Sequence, residues 1–363
     1  MRGPGLKIVT LGGVPVYIGA SWLILAAVIV ALNGPTIARI RPDLGALAYA
    51  VALAYALLLL LSVLVHEAAH ALAARAFGLR VERVVADLWG GHTAFETTHA
   101  RPGSTAVTAA AGPLANLALA VVGYAAWLGL GQGLPGAAMR MLALMNLALA
   151  VFNLLPGLPL DGGQLVDALV WRLTGSRGKG RVAAGWTGRL VAVGVLLWFV
   201  VRPVLQGGRL DLGSGLWMLL IVLFLWRGAT EAIQGGQAVQ VLGAVPLASV
   251  LTTAYAVPAT TPIVQLPTGV VPVVLDERGF PGGLIAADDL AGVPEQDRPA
   301  VTAGAVSRRQ PDGWVVEADP QGGVLPVVAA MQQHQAPVVA VVWQGRLVGV
   351  ASTDDVGRAL GGN

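Results

Sequence analysis

Six apolar stretches, long enough or nearly long enough to cross a bilayer, dominate the first two thirds of this 363-residue chain. A spanning helix needs about 17–25 predominantly apolar residues. The stretches lie at residues 17–32, 44–64 (continuing as helix to 77), 106–130, 137–155, 183–201 and 212–226. Charged residues make up 12% of the chain and apolar ones 55%. An ordinary soluble domain carries roughly 25% charge, so a wholly soluble enzyme is excluded. Disorder is excluded too, since disordered chains are poor in apolar residues. The first stretch lacks a small-residue cleavage site and reads as a retained helix rather than a signal peptide. There is no cysteine, so any metal must be held by His, Asp or Glu, and only five histidines are available. The expected fold class is an α-helical polytopic membrane protein of about six transmembrane helices with a membrane-associated β-hairpin, followed by a small α/β module.

Charge divides the chain. Residues 1–241 hold 17 Lys and Arg against 9 Asp and Glu, whereas residues 242–363 hold 6 against 11. This predicts a membrane domain at 1–235 and a soluble module at 242–363. The basic residues flank apolar runs, so they report topology and the lipid bilayer rather than a nucleic-acid partner. Arg2 and Lys7 precede the first run, Arg75, Arg80, Arg83 and Arg101 follow the second, Arg172, Arg177, Lys179 and Arg181 follow the fourth, and Arg227 follows the sixth. Their bias places both termini and the module in the cytoplasm. Arginine is abundant while Lys7 and Lys179 are the only lysines, which suggests a GC-rich bacterial genome and hence a bacterial cell membrane.

Two segments interrupt the helical pattern. Residues 79–96 are rich in Val, with Gly90-Gly91 supplying a turn, and read as a hairpin. Residues 153–163, NLLPGLPLDGG, hold two prolines and three glycines, which do not continue a regular helix. Discontinuous spans of this kind line functional cavities. Residues 230–245, rich in Gly and Gln, read as a joint. Beyond it lies a weak repeat. Pro272-Val273-Val274 precedes GGLIAADDLAG, and Pro337-Val338-Val339 precedes VGVASTDDVGR, as expected of two paired β-α units.

The sharpest chemical signal is HEAAH, His66 to His70, inside the second apolar run. Histidines four apart share a helix face, so both imidazoles reach one Zn²⁺. Glu67, one residue on, reaches a water on that metal. Ionisable side chains within a transmembrane helix are costly and mark function. A catalytic zinc takes a third protein ligand. Asp161, Asp167, Glu82, Asp87, His92, Glu96 and His99 are the candidates, and Asp161 is preferred because its Pro- and Gly-rich break lets a short carboxylate project toward another helix. Asn153, eight residues earlier, is an amide donor able to hydrogen-bond an oxyanion.

HEAAH followed by NLLPGLPLDGG resembles the site-2 protease family of intramembrane zinc metalloproteases. That family pairs HExxH with a downstream N-x-x-P-x-x-P-L-D-G pattern. Gly112-Pro113-Leu114-Ala115-Asn116 is similar to its G-P-x-x-N segment, and the Gly90-Gly91 hairpin to its re-entrant hairpin. The resemblance covers residues 8–175, with Leu154 standing where many members have proline. It implies that His66, His70 and Asp161 bind one zinc, that Glu67 is the general base, and that Asn153 assists. Residues 242–363 resemble a tandem CBS pair, carried by the family branch that includes the sporulation-factor proteases. The resemblance implies that Ser352 and Asp355, with Gly349, contact the ribose of an adenine nucleotide. Gly283 and Asp289 match in the first repeat, but Ala286 replaces the hydroxyl, so one nucleotide is expected per pair. A homodimer through these domains is the other implied partnership.

The resulting expectation is a metalloprotease that cleaves membrane proteins in or near a transmembrane segment, in regulated intramembrane proteolysis. Two rivals fit parts of the pattern. A membrane zincin of another type would use a glutamate as third ligand, and a CBS-regulated transporter or channel would leave the HEAAH placement unexplained.

Overall fold

The structure, a computed structural model, describes residues 5–11, 13–87, 90–95, 100–205 and 212–361. It separates into two compact units, Met1–Gln237 and Ala238–Asn363.

The first unit opens with strands β1 (Leu6–Leu11) and β2 (Val14–Ile18), followed by helices α1 (Ala20–Ile40) and α2 (Leu47–Ala76). Strands β3 (Val81–Asp87) and β4 (Gly90–Phe95) come next. Helices α3 (Pro102–Leu130), α4 (Leu134–Asn153), α5 (Asp161–Thr174), α6 (Arg177–Leu205) and α7 (Leu212–Ala244) complete it, α7 running on past Gln237 into the second unit. Among the described residues, six helices are long and apolar enough to cross a membrane: Ala20–Ile40, Leu47–Ala76, Pro102–Leu130, Leu134–Asn153, Arg177–Pro203 and Gly215–Ala244.

These helices are built for lipid. Buried positions carry small residues, such as Ala48, Ala52 and Ala56 along one stripe of α2. Large apolar side chains face outward, among them Leu53, Leu57 and Leu61 on the same helix. Without water to drive large side chains inward, helices in a bilayer associate through close backbone approach over small residues. Gly123 of α3 meets the backbone of Met139 and Ala143 on α4 in this way.

Three readings of the sequence are refined. The hairpin of residues 79–96 forms as β3 and β4, with Gly90 and Gly91 in strand β4 rather than in its turn, and it is part of a larger sheet. Residues 6–18 form a second hairpin, and the strands order as β1-β2-β3-β4, with β2 and β3 parallel. That pairing joins segments more than 60 residues apart, which local pattern does not reveal. The sheet packs on α2 through Val14, Val16, Val84 and Ala71. The break at 153–163 is shorter than its composition implies: α4 ends at Asn153, residues 154–160 form the loop, and Gly162 and Gly163 lie in the first turn of α5. The joint at 230–245 is helical, since α7 continues to Ala244.

The 154–160 loop is held between α6 and α7. The Leu158 N–H donates to the Ala184 carbonyl at 3.0 Å. Gly188 of α6 lies against the Leu158 carbonyl, and Gly228 of α7 lies against the Pro159 ring. A side chain at either glycine would push the loop away.

In the second unit, β5 (Ala254–Pro258), β6 (Val271–Leu275), β7 (Pro281–Leu284) and β8 (Arg308–Arg309) form one sheet in that order, with α8 (Ala287–Ala291) and α9 (Ala303–Val306) between β7 and β8. Strands β9 (Val315–Glu317), β10 (Val338–Trp343) and β11 (Arg346–Ser352) form the other, with α10 (Leu325–His334) before β10 and α11 (Thr353–Ala359) after β11. Each half repeats one device: a parallel strand pair, an antiparallel hairpin and a short helix. The first half has only a short 3₁₀ turn at Ile263–Gln265 where the second has α10. One core joins the halves, with Leu247, Val273, Val339, Val341 and Val350 at its centre.

A Cβ on Gly228 would sit 2.6–2.8 Å from Pro159 ring atoms, whereas one on Gly194 would meet open space. Overpacking costs typically about 1–3 kcal/mol. Gly228→Val should therefore lower the Tm of the detergent-solubilised protein, and Gly194→Val should not, as differential scanning fluorimetry would record.

Candidate metal centre

His66, Glu67 and His70 are buried on α2, about 9–15 Å along the axis from its C-terminal end at 1.5 Å per residue. The helix that carries them is long and apolar enough to cross a membrane. Asp161 begins α5, also buried, where the loop delivers it to α2. Its Oδ2 is 3.1 Å from His66 Nε2 and 3.4 Å from His70 Nε2, and the two Nε2 atoms are 3.0 Å apart. The donor atoms of His66, Glu67 and His70 all lie within 4.8 Å of one another.

This donor set fits a tetrahedral zinc ion. Ligand atoms at 2.0–2.1 Å from zinc in tetrahedral geometry stand about 3.3 Å apart. The Nε2, Nε2 and Oδ2 separations match that edge. Asp161 Oδ2 is buried without a hydrogen-bond partner among the described residues, as expected of an atom aimed at a cation. Glu67 adds a carboxylate beside the three.

The helix α3 shapes the far side. Ser62, His66 and His70 form a stripe of spacing four on α2, facing an antiparallel stripe of Thr108, Gly112 and Asn116 on α3. His70 Nδ1 lies 2.6 Å from the Thr108 carbonyl oxygen. A carbonyl only accepts, so Nδ1 carries the proton and Nε2 keeps its lone pair. His66 Nδ1 is hydrogen-bonded to Asn116 Oδ1. Asn116 Nδ2 donates to Asn146 Oδ1 on α4 at 2.7 Å, and Asn146 Nδ2 donates to Ser62 Oγ at 2.8 Å. Between these bonds, a Cβ on Gly112 would fall 2.6 Å from both Cε1 and Nε2 of His66, and nearer still to His70 Nε2. Only glycine leaves the imidazoles their space.

Asn153 ends α4 and lines the same cavity as His66, Glu67, Asn116 and Asp161. The cavity holds about 740 Å³ and is walled by apolar side chains of α1, α2, α4 and α7, among them Trp22, Leu59, Phe152 and Phe224. Other ligand candidates are not brought in. Glu82 is exposed, and buried Asp167 lies against Gly180 of α6. The side chains of Asp87, His92, Glu96 and His99 lie outside the described residues. Sequence reasoning passed over Ser62, Thr108 and Asn146, and quoted Gly112 and Asn116 without roles. The available signal was the spacing of four that both stripes share.

In the second unit, Ser352 and Asp355 are engaged with each other. Ser352 Oγ donates to Asp355 Oδ2 at 2.6 Å and accepts from the Asp355 N–H at 3.1 Å, capping α11. Arg358 pairs with Asp355. Partial burial raises the Asp355 pKa, but the Ser352 bonds and the Arg358 charge outweigh it and hold the carboxyl below its usual value. In the first half, Asp289 is held below its usual value by its bond to Arg308 and accepts the Ala286 N–H.

The profile of peptidase family M50 matches residues 54–138 and 132–197. Rip3 of Mycobacterium tuberculosis, named as a zinc metalloprotease, is 33% identical over 321 residues, covering 84% of this chain and 79% of its own. Among solved structures, the site-2 protease of Methanocaldococcus jannaschii is 22% identical, covering 63% of this chain and 94% of its own at a TM-score of 0.45. A CBS-domain-containing protein from Kribbella flavida is 19% identical, covering 31% of this chain and 96% of its own at a TM-score of 0.24.

Gly112→Ala tests the space between the stripes. Alanine favours a helix over glycine by about 1 kcal/mol. Circular dichroism should find helix content retained, while elemental analysis should find the zinc content of the purified protein far below wild type.

Proposed function

The chain belongs to peptidase family M50, a multi-pass membrane zinc metalloprotease, and on that premise we propose that it hydrolyses peptide bonds in or beside a transmembrane segment of a membrane-bound protein, with zinc held by His66, His70 and Asp161. The carrying observation is the convergence of three buried donor atoms, of His66, His70 and Asp161, beside an apolar-walled cavity that His66, Asp161, Glu67 and Asn153 line. Membrane embedding and protease chemistry together favour a membrane-protein substrate. The same assignment displaces the transporter reading. A zincin with glutamate as third ligand finds no support among the described residues, where Asp161 faces both imidazoles.

Zinc bound there supplies Lewis-acid chemistry, acidifying water and polarising a carbonyl. Glu67 takes the proton from the attacking water at its carboxylate and later delivers it to the nitrogen of the leaving amine. Asn153 donates its amide N–H to the oxyanion as the carbonyl carbon becomes tetrahedral. The Nδ1 bonds of His66 and His70 hold the two rings in place throughout. Strand β4 has one neighbour in the described sheet, so its other edge offers hydrogen bonds to an extended substrate. A helical substrate must expose its carbonyls before it can be cut, and strand addition accomplishes that.

The finer assignments follow the same reading. The basic flanks of the spans favour a cytoplasmic position for both termini and the second unit. The matched halves of the second unit support a CBS pair that binds one adenine nucleotide at Ser352 and Asp355, or joins two chains into a homodimer. Titrating the full-length protein in detergent with ATP, ADP and AMP should give one site per chain, weakened by Asp355→Ala. No heat at millimolar nucleotide would leave the module a docking or dimerisation element.

Glu67→Gln keeps size and burial but removes the base. It should bind zinc as wild type does while losing about 10²–10⁴-fold or more in cleavage rate. His66→Ala with His70→Ala should lose the metal itself. Normal turnover by Glu67→Gln, or normal zinc in the double variant, would overturn the assignment.

A further inference from the structure

Ser62, Asn116 and Asn146 are fully buried polar side chains on three different helices. Each is hydrogen-bonded, and together they connect His66 to two backbone carbonyls. The polarity of this chain is dictated from its far end. Ser62 Oγ donates to the Leu58 carbonyl at 2.8 Å, which leaves that oxygen to accept from Asn146 Nδ2. Asn146 Nδ2 also donates to the Leu142 carbonyl at 2.9 Å. Carbonyls only accept, so the Asn146 amide has one orientation, with Oδ1 facing Asn116. Asn116 must then present Nδ2 to Asn146 and Oδ1 to His66. His66 Nδ1 therefore carries the proton, and its Nε2 lone pair faces Asp161.

We propose that Ser62, Asn146 and Asn116 form a positioning relay that selects the metal-binding tautomer of His66. His70 needs no relay, because its Nδ1 meets the Thr108 carbonyl directly. Asn116 alone does not make the selection. An amide flipped end for end would offer Nδ2 to His66 Nδ1, accept nothing from the ring, and select the tautomer with the proton on Nε2. The bond to Asn146 excludes that flip. The relay rests on the reading of His66 as a zinc ligand.

The test uses the full-length protein in detergent. Outer-shell changes at such sites cost about 10–100-fold in metal affinity. Asn146→Leu should weaken zinc binding by about that factor in chelator competition. Asn116→Asp accepts the His66 proton without help from Asn146, so adding it to Asn146→Leu should restore affinity. Histidine ¹⁵N spectra of the metal-free protein supply a second readout: Nδ1-protonated His66 in wild type, and mixed tautomers in Asn146→Leu. Unchanged affinity and tautomer in Asn146→Leu, or no recovery in the double variant, would overturn the relay. Undiminished zinc in His66→Ala would overturn the ligand reading beneath it.

Discussion

Two imidazoles and two carboxylates sit buried together among helices long and apolar enough to cross a membrane, and the first unit is organised around making that burial tolerable. A charged side chain at a helix centre costs about 2.5–3.5 kcal/mol even on insertion scales that allow relaxation. Here Nε2 of His66, Nε2 of His70 and Oδ2 of Asp161 turn toward one point, and each Nδ1 turns away to a fixed acceptor. A single cation at that point would answer all three donor atoms at once.

Close approach makes the arrangement available. The stripe of Ser62, His66 and His70 meets that of Thr108, Gly112 and Asn116 because Gly112 contributes no side chain where the rings lie. Asp161 arrives because Gly188 and Gly228 let the 154–160 loop pack onto α6 and α7. Glycine is unfavourable in helix interiors. Its use at these positions exchanges helix propensity for proximity, and the lipid environment permits that because large side chains face outward at little cost.

The second unit follows water's rules instead, with Val and Leu at its centre. Its halves share strand order and helix placement but differ chemically. Ser352 caps α11 through its hydroxyl, whereas Ala286 leaves only the Asp289 carboxylate at the equivalent place. Both carboxylates carry an arginine, Arg358 and Arg308. The asymmetry lies in these side chains and also in the backbone, where a short 3₁₀ turn at Ile263–Gln265 stands in place of α10.

Much of this was legible along the chain. Six apolar runs, the HEAAH spacing, the Pro–Gly break before Asp161 and the division of charge are local patterns, and the six described spanning helices follow them closely. Asp161 was singled out from composition alone, because a carboxylate beside Pro159 and Gly162-Gly163 is not in an ordinary span. The parallel pairing of β2 with β3, the Asn116–Asn146–Ser62 connection and the demand for glycine at positions 112, 188 and 228 were not legible. Each depends on which residues distant in sequence come into contact, and in a membrane that is decided by backbone approach over small residues, which carry no periodic hydrophobic signal. The sequence alone determined which side chains could hold a metal. The tertiary structure decided which of them converge, because the separations near 3 Å that a shared metal would require are specified by no spacing along the chain.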